Sequence, residues 1–108
     1  KVPAGRYDLI TSSMTLHHIR DVGPLLKQFH RILHSSGLLC IADLDEDGGR
    51  FHTSNEGVFH FGFDRQKLAQ QFEKAGFQNV HAVQAASIEK LIAGGMHTFT
   101  VFLMIGMK

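Results

Sequence analysis

The stretch YDLITSSMTLHHIRDVGPLLKQFHRILHSSGLLCIA, residues 7–42, decides the fold. Tyr7 to Ser12 carries β-formers, follows Gly5 and runs into the Ser12-Ser13 pair. It is too short for a helix and reads as a strand. Asp21-Val22-Gly23-Pro24 reads as a helix start. The Asp21 carboxylate can accept from a free N–H of the first turn, and Pro24 needs no donor there. Leu25, Leu26, Phe29, Ile32 and Leu33 recur at the spacing of one helical face. Gly37, after Ser35-Ser36, predicts the helix stop. Leu38 to Ala42 is an unbroken apolar run of the kind found in a central strand covered on both faces. Strand, helix and strand at this spacing make a βαβ unit with parallel strands and a right-handed crossover.

Downstream, Asp43 to Gly62 is long, polar and glycine-containing, with Phe51, Phe59, Phe61 and Phe63 interleaved. The aromatics predict a packed loop, and loops of this length often carry function. Asp64 opens a second predicted helix with Leu68, Ala69, Phe72 and Ala75 on its buried side and Gly76 as its stop. Phe77 to Ala85 and Thr98 to Ile105 read as strands. Between them Ser87–Gly95 stays open, since Ile88, Leu91 and Ile92 fit a helical turn or an extended ribbon.

The chain has 108 residues, enough for one domain. Its 44% hydrophobic and 19% charged residues exclude a disordered or collagen-like chain. Lys and Arg total 11 against 10 Asp and Glu, so no basic excess favours nucleic acid or anionic lipid. The longest apolar run, Phe99 to Met107, is too short for a bilayer span and reads as a buried strand. Neither nucleic acid nor membrane is therefore an expected partner. Cys40 has no second cysteine to pair with, which points to a reducing, cytoplasmic setting. Residue 1 is Lys and a strand begins at Tyr7 with no signal peptide before it. The expectation is a single domain over 1–108 that is a piece of something longer.

Candidate chemistry is sparse. Asp43, Asp45 and Asp47 with Gly48 imitate the start of a calcium loop, but Ser54 stands where a bidentate Glu is required. The segment reads instead as a solvated acidic loop at the carboxyl end of a strand, the edge where open α/β sheets bind ligands. His30 and His34 have helical i,i+4 spacing without a H-E-x-x-H motif or a cysteine pair, so no metal is expected. His52 and His60 lie in the long loop, where each can act as a base or hold the loop by hydrogen bonds. Cys40, inside an apolar strand, reads as an inert thiol. Ser12-Ser13 has no G-x-S-x-G context. Neither G-x-G-x-x-G nor G-x-x-x-x-G-K-[ST] occurs.

Tyr7 to Ile19 resembles the fourth-strand motif of class I S-adenosylmethionine-dependent methyltransferases. In order along the chain, Leu33-His34-Ser35-Ser36-Gly37-Leu38-Leu39 is similar to their helix end and fifth strand, and Asp43-Leu44-Asp45 to their acidic strand end. Ala75-Gly76-Phe77 with Val80 resembles the entry to their sixth strand, and Phe99 to Lys108 the closing seventh. The small-molecule group of types 11 and 12 is the most similar. The resemblance implies an α/β fold, half of a Rossmann-like sheet with strand order 4-5-7-6, the last strand antiparallel and helices on both faces. It implies S-adenosylmethionine as cofactor, Ser12, Ser13 and Met14 beside it, and His17 at the reaction edge as a base. A purely local role for His17, packing and capping, is equally open. His52 and His60 become candidate substrate contacts.

The glycine-rich first turn and the ribose-binding acidic residue of that family have no counterpart here. The expectation is therefore a carboxyl-terminal half, inactive as an isolated chain, that acts on a small molecule in its parent. Strand 7–12 should then show an unpaired edge beside an exposed apolar patch, a template for a homodimer. The competing expectation is a non-enzymatic α/β interaction module that uses the same edge.

Overall fold

The structure is a computed structural model and describes residues 5–47, 51 and 56–108. Along the chain come β1 (Tyr7–Ser13), α1 (Val22–Ile32), β2 (Leu33–Leu44), α2 (Arg65–Lys74), β3 (Gln78–Ile92) and β4 (Gly95–Met107). One turn of 3-10 helix, Leu16–His18, follows β1. The strands form one sheet of order β1-β2-β4-β3, with β1 parallel to β2 and β4 antiparallel to both of its neighbours. This is the α/β half-sheet, last strand reversed, that the resemblance implies.

The larger core cluster lies on one face of that sheet, and a smaller one of Leu44, Phe99 and Val101 on the other. Leu39 and Ile41 of β2 and Phe102 and Met104 of β4 meet Leu26 of α1 and Leu68 and Phe72 of α2 in one buried cluster. Strand side chains alternate, so Leu38, Cys40, Leu103 and Ile105 point the other way. Helices on both faces were expected; among the described residues both helices pack on the same one. The topology explains it. The steps β1-α1-β2 and β2-α2-β3 run in the same direction across the sheet, and right-handed crossovers then put both helices on one side. The opposite face keeps an apolar patch, with Leu9 56%, Val83 45% and Leu38 38% exposed. The outer edge of β1 has no partner strand among the described residues. Beside it a groove of about 400 Å³ is lined by Leu9, Ile10, Thr11, Phe29 and Ile32.

Several element ends differ from expectation. Asp21 holds the N-cap position of α1, but its side chain makes no capping bond. The helix ends at Ile32 rather than near Gly37, because Leu33 is already extended. Ser36 then takes φ 66°, and the β1–β2 register breaks between Tyr7 and Leu9. His34 therefore lies in β2, so His30 and His34 do not share a helix face. His30 instead meets the Phe77 ring edge-on at 5.0 Å. Asp64 caps α2 as its residue type suggests, accepting from the Lys67 N–H at 3.0 Å. Gly76, at φ 109°, turns the chain out of that helix. The open segment Ser87–Gly95 is an extended ribbon. β3 and β4 stay paired out to Ile92 and Gly95, and Ala93-Gly94 closes the hairpin with both φ positive. No helix among the described residues is long and apolar enough to cross a membrane.

Candidate functional site

The carboxyl ends of β1 and β2 form the edge that open α/β sheets use for ligands. Ser12 and Ser13 close β1 and Met14 follows it; Ser12 is half-buried, Ser13 exposed and Met14 half-buried. Met14 has φ 55°, and its N–H donates to the Ala42 carbonyl at 2.8 Å, which turns the chain sharply off β1. Thr15 Oγ1 donates to the Ser13 carbonyl at 3.0 Å.

Behind this turn sits a buried pair. His17 is 2% exposed and Asp43 wholly buried. His17 Nδ1 lies 2.8 Å from Asp43 Oδ1, and a carboxylate only accepts, so Nδ1–H is the donor. The His17 backbone N–H donates to Oδ2 at 3.2 Å and the Leu44 N–H to Oδ1 at 2.8 Å. This geometry commits the Nδ1–H of His17 to Asp43 and fixes the ring in one orientation.

The same segment ties down the loop before α2. The His17 carbonyl accepts from the N–H groups of Phe59, at 2.9 Å, and His60, at 3.3 Å. His18 Nδ1 bonds the Gly57 carbonyl at 2.9 Å, with its ring 4.3 Å from that of His17. His60 Nε2 donates to the Ile19 carbonyl at 2.8 Å, and its ring stands 4.8 Å from Phe63. His60 is thus brought into the His17 network and spends Nε2 on backbone. His52 lies outside the described residues.

The acidic segment at the end of β2 is not a solvated loop. Asp43 is inside the protein and Asp47 is only 7% exposed. Asp45 accepts from Arg65 Nε and Nη2, both at 2.8 Å, and from Thr100 Oγ1 at 2.5 Å. Burial pushes the Asp45 carboxyl up. The Arg65 and Thr100 hydrogen bonds and the Arg65 charge outweigh it, leaving Asp45 below its usual range. Arg65 is raised by the same hydrogen bond. Sequence reasoning missed the partners of both carboxylates, because each pairing joins residues far apart in the chain.

A depressed folded-state carboxyl stabilises the protein above its unfolded pKa, and that contribution is lost as pH falls through the folded value. Asp45→Asn should therefore cost about 1 kcal/mol at pH 7, the small figure reflecting a pair partly open to solvent. The gap from wild type should shrink below pH 4 in urea melts. A gap independent of pH would exclude this origin.

Burial also raises the Cys40 thiol above its usual value, which favours its protonated form at neutral pH.

Comparison with known proteins fits this geometry. A sequence model of the methyltransferase-domain family matches residues 1–82. The chain belongs to the methyltransferase-domain family. An uncharacterized methyltransferase of Schizosaccharomyces pombe is 30% identical over 88 residues, covering 74% of this chain and 31% of that protein. The chain thus spans about a third of the length of that curated relative. Among solved structures, a possible histamine N-methyltransferase from Thermotoga maritima superposes over 100% of this methyltransferase-domain chain and 59% of its own. Its TM-score is 0.72 and its identity 23%. Phosphoethanolamine N-methyltransferase 2 of Haemonchus contortus, in complex with S-adenosyl-L-methionine, superposes over 94% of this chain and 33% of its own. There the TM-score is 0.68 and the identity 13%. At these identities the structural matches establish the Rossmann-like methyltransferase fold.

Proposed function

We propose that residues 1–108 form the carboxyl-terminal half of an S-adenosylmethionine-dependent methyltransferase domain that methylates a small molecule. The observation that carries this is the sheet order β1-β2-β4-β3 with β4 reversed, on a sequence that the family model matches over residues 1–82. Ser12, Ser13 and Met14 face the methionine end of the donor. Their hydroxyls and thioether suit a site that need not supply charge. When bound, the donor supplies a methyl group already activated on its sulfonium. What remains for the protein is alignment of acceptor and methyl. The His17 pair supports the edge from behind, and His60 and, by its place in the sequence, His52 are the candidate substrate contacts. The protein works in the cytoplasm.

On this reading chain 1–108 alone does not hold the donor, since its sequence has no G-x-G turn and no ribose-binding carboxylate of the family. Titration calorimetry with S-adenosylhomocysteine tests it. Chain 1–108 should show no binding tighter than about 1 mM, and a product extended upstream in its reading frame should bind in the micromolar range, a difference of about 4 kcal/mol or more. Micromolar binding by chain 1–108 would end the inactive-half reading, and no binding by the extended product would end the methyltransferase reading.

The second reading, an interaction module, is favoured by the helix-free face and the open edge of β1. An unpaired strand edge beside exposed Leu9 and Leu38 is a template for another chain. Chain 1–108 alone should pair with a second copy there, giving twice the chain mass by light scattering. Leu9→Lys should return it to a monomer.

A further inference from the structure

The buried carboxylate at the end of β2 does more than satisfy one histidine. Asp43 takes three N–H donors: Leu44 on its own strand, and the backbone and ring of His17 beyond β1. It joins β2, which is still paired to β4 at Asp43 and Leu44, to the segment past the end of β1, since the β1–β2 ladder ends at Ser13 and Ala42. The link then continues. The carbonyl of the same His17 receives the N–H groups of Phe59 and His60, and His60 returns a ring bond to Ile19. Asp43, His17 and the 57–60 segment form one chain of hydrogen bonds from the strand end to the loop. A buried carboxylate with this many donors has one favourable geometry, so it fixes its partners in place.

We propose that Asp43 is a positioning residue for the ligand edge. Through His17 it sets the Ser12–Met14 turn against the 57–60 segment, so the donor and acceptor sides keep one relative placement. The acceptor-side part rests on the methyltransferase reading; the mechanical link does not. Asp43 touches no substrate. Its role needs the Nδ1–H donor of His17 and not imidazole acid–base chemistry.

Asparagine separates these requirements. At position 17 its amide N–H stands near where Nδ1–H stood, so His17→Asn keeps the donor and removes the imidazole. At position 43 an amide offers one accepting oxygen in place of two, so Asp43→Asn turns an N–H toward at least one N–H. The experiment is amide hydrogen exchange on the upstream-extended protein, with titration of S-adenosylhomocysteine on the same samples.

Asp43→Asn should speed exchange at Phe59 and His60 by tenfold or more, leave the Met104 amide of the core slow, and weaken S-adenosylhomocysteine by tenfold or more. His17→Asn should stay within threefold of wild type on both readouts. Should Asp43→Asn also free Met104, the fold has been lost. His17→Ala then serves, since Asp43 keeps its two backbone donors, and it should speed Phe59 and His60 alone. Unchanged exchange at Phe59 and His60 in the folded variant overturns the proposal, because the carboxylate then holds only its direct neighbours. So does a His17→Asn variant as impaired as Asp43→Asn, because the imidazole itself would then be the requirement. If the unmodified protein fails to bind S-adenosylhomocysteine while the exchange pattern behaves as expected, the methyltransferase reading fails and the link through Asp43 stands.

Discussion

Phe72→Ala should lower stability by about 4 kcal/mol, the cost of emptying a wholly buried aromatic site that can collapse only in part. Phe72 projects from α2 into the one core that joins both helices to β2 and β4, with its ring 5.5 Å from that of Phe77. A domain of this size has roughly 5–15 kcal/mol in hand, so most of the margin would go, with a fall in melting temperature of about 20 °C. Gly106 makes the prediction sharper. A Cβ there would stand 2.8 Å from Phe72 Cδ2 and 3.1 Å from Phe77 Cβ, so Gly106→Ala alone should cost about 1–3 kcal/mol by overpacking. With Phe72 removed, most of that conflict goes and the new methyl partly fills the void. The double variant should therefore be more stable than the two single losses predict, by about 1 kcal/mol or more. Strict additivity in urea melts would mean that β4 and α2 are not packed this closely.

The elements legible in the sequence are those whose signal is local and periodic. The one-face spacing of Leu25, Leu26, Phe29 and Ile32 marked α1, and Asp64 with Gly76 bracketed α2. The apolar run Leu38 to Ala42 marked the middle of β2. What escaped was set by neighbours distant in sequence. Gly37 looked like a helix stop, yet a Cβ there would lie 3.2 Å from the Asp8 carbonyl, so that glycine serves the passage of β2 beside β1. Ile88, Leu91 and Ile92 fit two periods equally, and only pairing with Phe99, Met96 and Gly95 makes them strand. The side on which the helices lie follows from crossover direction, which the strand order already contained.

The candidate site divides in the same way. The strand end at Ser12-Ser13 was legible because the β-forming run from Tyr7 stops there. The partners of Asp43 and Asp45 were not, because an acidic cluster at a strand end reads as solvated until its donors are known. Those donors are His17, Arg65 and Thr100, 26, 20 and 55 residues away. A weak signal was present in hindsight: Asp43 directly continues an apolar strand, where burial is the rule and an unpaired carboxylate would be costly.

Gly62→Ala should be the most damaging single methyl at the ligand edge. Gly62 has φ +84°, and a Cβ there would run into the carbonyl carbon and oxygen of Asp45 and the Cα of Glu46, which are backbone and cannot swing aside. That close approach lets residues 61–63 lie against the end of β2. Phe63 N–H donates to the Leu44 carbonyl at 2.8 Å, Asp47 N–H donates to the Phe61 carbonyl at 2.8 Å, and Asp45 pairs with Phe63 in a parallel bridge. A left-handed alanine costs about 1–2 kcal/mol, and forcing the two backbones apart adds a term of similar size, for a total of about 3 kcal/mol. Gly57 supplies the control. It has φ +76° with nothing within 4 Å of its Cβ position, so Gly57→Ala should cost only the conformational part, about 1–2 kcal/mol. The difference between the two variants in urea melts isolates the close approach. Equal losses would show that residues 61–63 do not pass against Asp45. A larger loss at Gly62, with faster exchange at Phe63 and Asp47 before global unfolding, would identify this crossing as what holds the loop to the sheet. Loosening it should then free the 57–60 segment from the His17 carbonyl as well, because both contacts anchor one continuous stretch of chain between Gly57 and the cap of α2.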